Sequence, residues 1–449
     1  MRWLDGRGER AVGPTVGVDE LRARLDRELP GEPTDAVTIV DDLARDVEGG
    51  LMGNNAGRFF AWVMGGAHPA AIAADWLVSA WDQNAAIAAT APAMAVVEEV
   101  AGAWMLDLLE LPPEASFGFT SGCQMAHLTA LAAARRRLLL DRGWDPERQG
   151  LRGGPPLRVL SGDHGHETVD RVVQLLGIGT DDVHRVATEG GRMDPAALAD
   201  QLRAAGEEPV IVCLSAGDIH GGRFDDFDAL VPLCHRRAGT WVHVDGAFGL
   251  WARVSDRHRR HLDGVEAADS WATDGHKWLN TTFDAGFVAI RDREAHRGAL
   301  ATDAPYISDG GARDQVFWNP EWSRRARAVP VYAAIRGFGR SGIAEMVDRC
   351  CDAAERIVSG LGAEPGGEVV LPACTNQGLV RFLDPSGEDH DAFTERVVAA
   401  LQADGTAFFS GMSWRGMSVM RVSVVGWTTT PEDAEATLAA AASVLRELS

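Results

Sequence analysis

Lys277, in the segment SWATDGHKW, follows Asp245, in TWVHVDGAFGLW, by thirty-two positions. The apolar residues around Asp245 place the acid at the end of a buried strand. The lysine comes one strand and loop later, between His276 and Trp278. A lysine amine can form a Schiff base with an aldehyde, and a carboxylate can keep a heteroaromatic ring nitrogen protonated so that the ring draws electrons. Pyridoxal phosphate (PLP) needs both groups. An HK dipeptide, or an Asp closing a strand, is ordinary by itself, so the weight falls on the other strand ends.

Thr120-Ser121-Gly122-Cys123 closes one β-type run and opens a helix, so its N–H groups and the positive helix terminus could hold a phosphate, with Gly122 allowing close approach. A helix start capped by Ser is the plainer reading of the same turn. His166, in GDHGHETVDR, also follows a β-run and could stack on a flat ring or pass protons, with His164 competing for that role. Ala247, two residues beyond Asp245, is expected on the same side of the strand, small enough for a ring to lie against it or for plain helix packing. Ser215 heads LSAGDIHGGRFDD, whose Gly217, Asp218 and Asp225 suit either a site or only a turn; His220 is a weaker candidate. Five strand ends thus each offer a group that PLP requires.

The elements that position these groups form a pattern. Residues 18–48 read as polar helix broken at Pro30 and Pro33, and residues 69–111 as two Ala/Leu/Trp-rich helices ending at Pro112-Pro113. From there to about residue 292, short apolar β-runs alternate with helical ones. This predicts an α/β fold with a mainly parallel sheet covered on both faces, binding its ligand at the strands' carboxyl ends. A long helical run near Ser323 to Gly337 and a small α+β unit from about residue 340 follow. The expected division is a helical arm at 1–90, a large PLP-binding domain at 91–339 and a small domain at 340–449.

A formal charge of −22 argues against nucleic acid or an anionic membrane as partner. Apolar stretches such as AAIAADWLVSAW are broken by Asp75 and Asp82 short of a membrane span. The six cysteines show no CxxC spacing and the chain opens MRWLDGRGER, so a cytoplasmic protein with reduced thiols and no metal site is expected.

GRFFAWVMGG, FTSGCQMAH, HETV, GGRFDD, HVDGAFG, DGHKWLN with Asp284, and WSRRARAVPVYAAIRGFGRSG together resemble the group II PLP-dependent amino acid decarboxylases, from about Arg58 onward. The resemblance implies PLP fold type I (the aspartate aminotransferase fold, with a seven-stranded sheet) and a homodimer with PLP at its interface. Lys277 would be the Schiff-base lysine, Asp245 the pyridine-nitrogen partner, His166 the stacking imidazole and Ala247 the opposite ring contact. Gly122, Cys123 and His276 would hold the phosphate, Ser215 would line the cofactor site, and Asp274 stands where the family usually has Asn. Phe59, Phe60 and Trp62 resemble the family's substrate strip, with Tyr306 a further substrate-side candidate.

Two departures stand out. Cys123 replaces a hydroxyl usual near the phosphate turn, which shifts the load to backbone N–H groups. The loop Tyr that protonates the carbanion after CO2 leaves is missing: Gln315 or Phe317 takes its place, and the two tyrosines are Tyr306 and Tyr332. The expected reaction is decarboxylation of an L-amino acid to its amine, with His166 or Tyr306 as alternative proton donors. Without prompt protonation, reaction with O2 would give an aldehyde. Aminotransfer, with Arg421 as a carboxylate clamp, aldol chemistry and a non-catalytic binding protein are the remaining readings.

Overall fold

The computed structural model describes residues 2–301 and 313–448; residues 302–312, with Tyr306 and most of SDGGARDQ, lie outside it. The N-terminal arm holds α1 (Val18–Leu25) and α2 (Ala36–Asp46), separated by the segment with Pro30 and Pro33. Then come α3 (Pro69–Trp81) and α4 (Pro92–Leu108), each opened by the proline that costs a helix least at its first position.

Seven strands build the large sheet: β1 (Ser116–Thr120), β2 (Arg158–Gly162), β3 (Val183–Val186), β4 (Val210–Ser215), β5 (Thr240–Asp245), β6 (Ser270–Asp274) and β7 (Gly286–Ile290). Their order is β1-β7-β6-β5-β4-β2-β3. Neighbours from β6 to β3 are parallel, whereas β7 is antiparallel to both β6 and β1. The helices around them are α5 (Cys123–Leu140), α6 (Glu167–Leu175), α7 (Pro195–Ala204), α8 (Phe227–His235) and α9 (Arg293–Leu300). In β4, Val210, Val212 and Leu214 enter one apolar cluster while Ile211 and Cys213 enter another. That is why the strand reads as a continuous apolar run: both faces are covered.

The expected long helix is α10 (Ala328–Ala363), which starts later and runs much further than the Ser323 to Gly337 reading, bending where Gly339 takes φ 64°. Beyond it β8 (Gly367–Leu371), β9 (Gln377–Phe382), β10 (Ser410–Trp414) and β11 (Met417–Ser423) form an antiparallel sheet in the order β8-β9-β11-β10, flanked by α11 (His390–Asp404) and α12 (Pro431–Leu448). The sequence showed β9 and β11. It hid β8 and β10, edge strands that lack a continuous buried face.

Candidate active site

The carboxyl ends of β1, β2, β4, β5 and β6 deliver the candidate residues. Antiparallel β7 enters between β1 and β6, with Gly286 opposite both Thr120 and Asp274. A Cβ on Gly286 would lie 2.6 Å from the Gly122 backbone, so glycine here is what lets the β1 turn reach the lysine loop.

Gly122 caps α5 with no side-chain hydrogen bond, so the Ser-capped alternative does not describe this turn. The first N–H groups of α5 therefore have no carbonyl partner inside the helix. A Cβ on Gly122 would sit 3.3 Å from His276 Cε1 and 3.7 Å from Asp274 Oδ1, and that oxygen is buried without a hydrogen-bond partner. An uncapped helix start, an imidazole and a glycine that lets the backbone come close supply the donors that an anion such as phosphate needs. His276 Nδ1 accepts from the Ala285 N–H at 3.2 Å, which leaves Nε2 as its donor, 3.6 Å from Asp274 Oδ2. Burial pushes this imidazole below its ordinary range.

Lys277 is half-buried, with Nζ 3.3 Å from Asp274 Oδ2. Burial favours its neutral form, but the Asp274 and Asp245 carboxylates outweigh burial and raise the amine above its usual pKa. Asp245 shows the converse balance. Burial works against the carboxylate, while the Lys277 ammonium, the facing imidazoles and the Ala247 N–H together outweigh it and hold the group below the usual range. An ionised carboxylate is what a protonated ring nitrogen needs opposite it.

β5 stops at Asp245, so Ala247 does not continue the strand alternation assumed from sequence. It reaches the site through the following turn, where its N–H donates to Asp245 Oδ1 at 3.1 Å. His166 caps α6, its Nδ1 accepting from the Thr168 N–H at 3.1 Å. His164 instead turns toward Trp414 and His220, at 4.5 and 5.4 Å between ring centroids. Ser215 pairs in register with Asp245, its N–H held by Asp225 at 2.7 Å. Asp225 also accepts from the Met193 N–H, and Asp218 accepts from His220, Gly221 and Arg223 N–H groups, so both acids build turns.

On the expected substrate strip, Phe59 and Phe60 are buried in apolar clusters and Trp62 is exposed. Arg58 is bound by Asp433 at 2.8 Å, which explains it without a substrate. Arg421 is buried, Nη1 donating to Ile219 O at 2.7 Å and Nε unpartnered. Gln315 is buried in a short 3₁₀ turn, Phe317 lies under the Arg297 guanidinium, and Tyr332 stacks on Trp104.

The sequence reading missed His127 and His243. Both carried a signal: His127 lies one helical turn beyond Cys123, and His243 lies on the same strand face as Asp245. Cys123 Sγ, a His127 ring nitrogen and an Asp245 oxygen lie within 4.8 Å of one another. Burial, then Asp274 and Asp245, push the Cys123 thiol well up, so it stays a neutral S–H. Lysine amine, ionised carboxylate, imidazole and uncapped helix start together fit PLP.

An aromatic-L-amino-acid decarboxylase of Bacillus atrophaeus is 28% identical over 436 residues, covering 94% of this chain and 88% of that one. A 4-hydroxyphenylacetaldehyde synthase of Rhodiola rosea is 27% identical over 442 residues, with 94% and 88% covered. Among solved structures, Oryza sativa TDC with PLP and tryptamine matches the fold at a TM-score of 0.91 and 23% identity, over 99% of this chain and 95% of that one. Residues 19–383 match the pyridoxal-dependent decarboxylase conserved domain. Since that match runs from the arm through the large sheet into β9, the chain belongs to the pyridoxal-dependent decarboxylase family and is a PLP-dependent carboxy-lyase.

Proposed function

We propose that the protein decarboxylates an L-amino acid to its amine at the strand ends around Lys277. The observation that carries this reading is Lys277 Nζ at 3.3 Å from Asp274, beside an uncapped helix start and an Asp245 held ionised. Lys277 would be the amine that anchors the cofactor, and Asp274 Oδ2, 3.3 Å away, holds its ammonium form. Asp245 would be the acid that keeps the ring nitrogen protonated, and Ala247 and His166 would hold the ring. Gly122, Cys123 and His276 hold the phosphate, and Ser215 lines the cofactor site. Bound PLP supplies the electron sink for the pair left behind when CO2 departs. Trp62 is assigned to the substrate side, and Phe59 and Phe60 support that strip from the core; Tyr306, the further candidate, lies outside the described residues.

A second reading, oxidative conversion to an aldehyde, has specific support. Gln315 or Phe317 stands where a loop tyrosine would give back the proton, neither is an acid, and one relative is named as an aldehyde synthase. Incubation of the PLP-loaded enzyme with an amino acid panel, with and without oxygen, separates the readings by product mass. An amine lighter than its substrate by CO2 in both conditions is expected. Aldehyde and peroxide formed only in air would establish the second reading, and no loss of CO2 in either would overturn both.

The active unit is a homodimer with the site at its interface. Val37, Val40 and Leu43 are exposed on α2, and Trp76, Leu77 and Trp81 on α3, apolar side chains that a partner subunit would cover. A cytoplasmic location is consistent with six unpaired thiols. No helix among the described residues is long and apolar enough to cross a membrane. The division at residues 90 and 339 places the small domain's start at the α10 bend.

A further inference from the structure

Trp241, His243 and Asp245 alternate along β5 and so share one face of the strand. Ser270 of β6 lies opposite His243 in register, and His127 reaches across from α5. All of these except Asp245 are buried. Trp241 Nε1 donates to Ser270 Oγ at 2.8 Å, Ser270 Oγ lies 2.9 Å from His243 Nδ1, and His243 Nε2 lies 2.8 Å from His127 Nδ1. The last nitrogen, His127 Nε2, has no hydrogen-bond partner and faces Asp245 Oδ2 at 3.6 Å.

One arrangement of protons suits every group in this row. An indole nitrogen only donates, so Ser270 Oγ accepts from Trp241 and its own O–H is free for His243 Nδ1. His243 then donates from Nε2 to His127 Nδ1, and His127 keeps its proton on Nε2, pointing at the carboxylate. The opposite polarity would aim a bare lone pair at an anion and leave the serine proton without its acceptor. Burial keeps both rings neutral, lowering His127 and taking His243 to about 3, so the row ends in a dipole rather than a cation.

We propose that Trp241, Ser270, His243 and His127 form a one-way hydrogen-bonded relay that fixes the orientation of the Asp245 carboxylate toward the cofactor's ring nitrogen. The inference rests on the assignment of Asp245 as that nitrogen's partner. His127 and His243 are positioning residues: they act on the cofactor only through Asp245. Asp245 Oδ1 is already held by the Ala247 N–H, and His127 restrains the other oxygen.

The test begins on the cofactor-free protein. Two-bond ¹⁵N–¹H correlation of ¹⁵N-histidine-labelled enzyme should show both His127 and His243 neutral and protonated on Nε2, with assignments from His127→Gln and His243→Gln. A proton on His127 Nδ1 overturns the relay. In the loaded enzyme, His127→Leu should weaken PLP binding and lower kcat by about tenfold each, with KM nearly unchanged, since it removes the N–H dipole that faces the Asp245 carboxylate at 3.6 Å. It should also alter the bound cofactor's absorbance spectrum. His127→Gln should recover most of this, because its carbonyl can accept from His243 while its amide reaches Asp245. Wild-type PLP affinity and spectrum in His127→Leu would overturn the proposal, as would equal loss in both variants through unfolding with the native tautomers reversed. Asp245→Asn separates the two layers. A changed spectrum in Asp245→Asn with none in His127→Leu rejects only the relay, and no change in either rejects the role of Asp245 itself.

Discussion

Asp274 Oδ2 lies 3.3 Å from Lys277 Nζ and opposes the burial that would otherwise favour a neutral amine. The amine must lose its proton before it can attack an aldehyde, so Asp274 helps to set the pH at which the cofactor loads. The sign follows directly: Asp274→Asn removes the leading contribution that raises Lys277, so deprotonation moves to lower pH. The midpoint of the pH profile for PLP loading onto cofactor-free enzyme should fall below that of the wild type. Stopped-flow absorbance measures it, and an unmoved midpoint would assign control of the lysine to other groups. Lys277→Ala should lower kcat by about four orders of magnitude or more while circular dichroism stays unchanged, because the residue is half-buried and carries no core packing.

Among the elements, β1 and α4 are tied by a buried ion pair beneath the site. Arg324 Nη1 donates to Glu98 Oε2 at 2.7 Å, with both side chains at most 1% exposed, and Arg324 also bonds the carbonyls of Ala85 and Phe119. Phe119 immediately precedes the turn that leads to Gly122. Glu98→Ala strands the guanidinium in the core and should destabilise the fold by about 3–5 kcal/mol, read from urea unfolding. Loss below 1 kcal/mol would mean that the carbonyls alone satisfy Arg324. Gly286→Ala acts on the same junction from β7. With its Cβ 2.6 Å from Gly122, it forces the strands apart and should weaken PLP binding at least about tenfold by equilibrium titration, with a smaller change in thermal stability.

For the whole molecule, the exposed apolar side chains of α2 and the tryptophans of α3 predict a dimer near twice the chain mass in analytical ultracentrifugation. Val40→Asp with Leu43→Asp should shift the protein toward monomer and lower activity in parallel, since the proposed site lies at the interface. A monomeric wild type would remove the dimer from the proposal without touching Lys277.

Sequence alone determined the groups with a local signature. Lys277, Asp245 and the Thr120 to Cys123 turn were legible because strand periodicity and chain order place them at strand ends, and the alternation of β-runs and helices implied a parallel sheet. The sheet's strand order, with antiparallel β7 bringing Gly286 against Gly122, was not legible, since strand pairing depends on contacts between residues distant in sequence. For the same reason His127 stayed hidden: it lies 118 positions from Asp245 in the chain yet 3.6 Å away across a helix and a strand. Ala247 was placed by an alternation that ends two residues too early, and only the turn after β5 shows how its N–H reaches the carboxylate. Residue type and spacing set which chemistry is available; tertiary packing decided which of those groups meet and which charge each one keeps, because burial and neighbouring charge are properties of the folded chain.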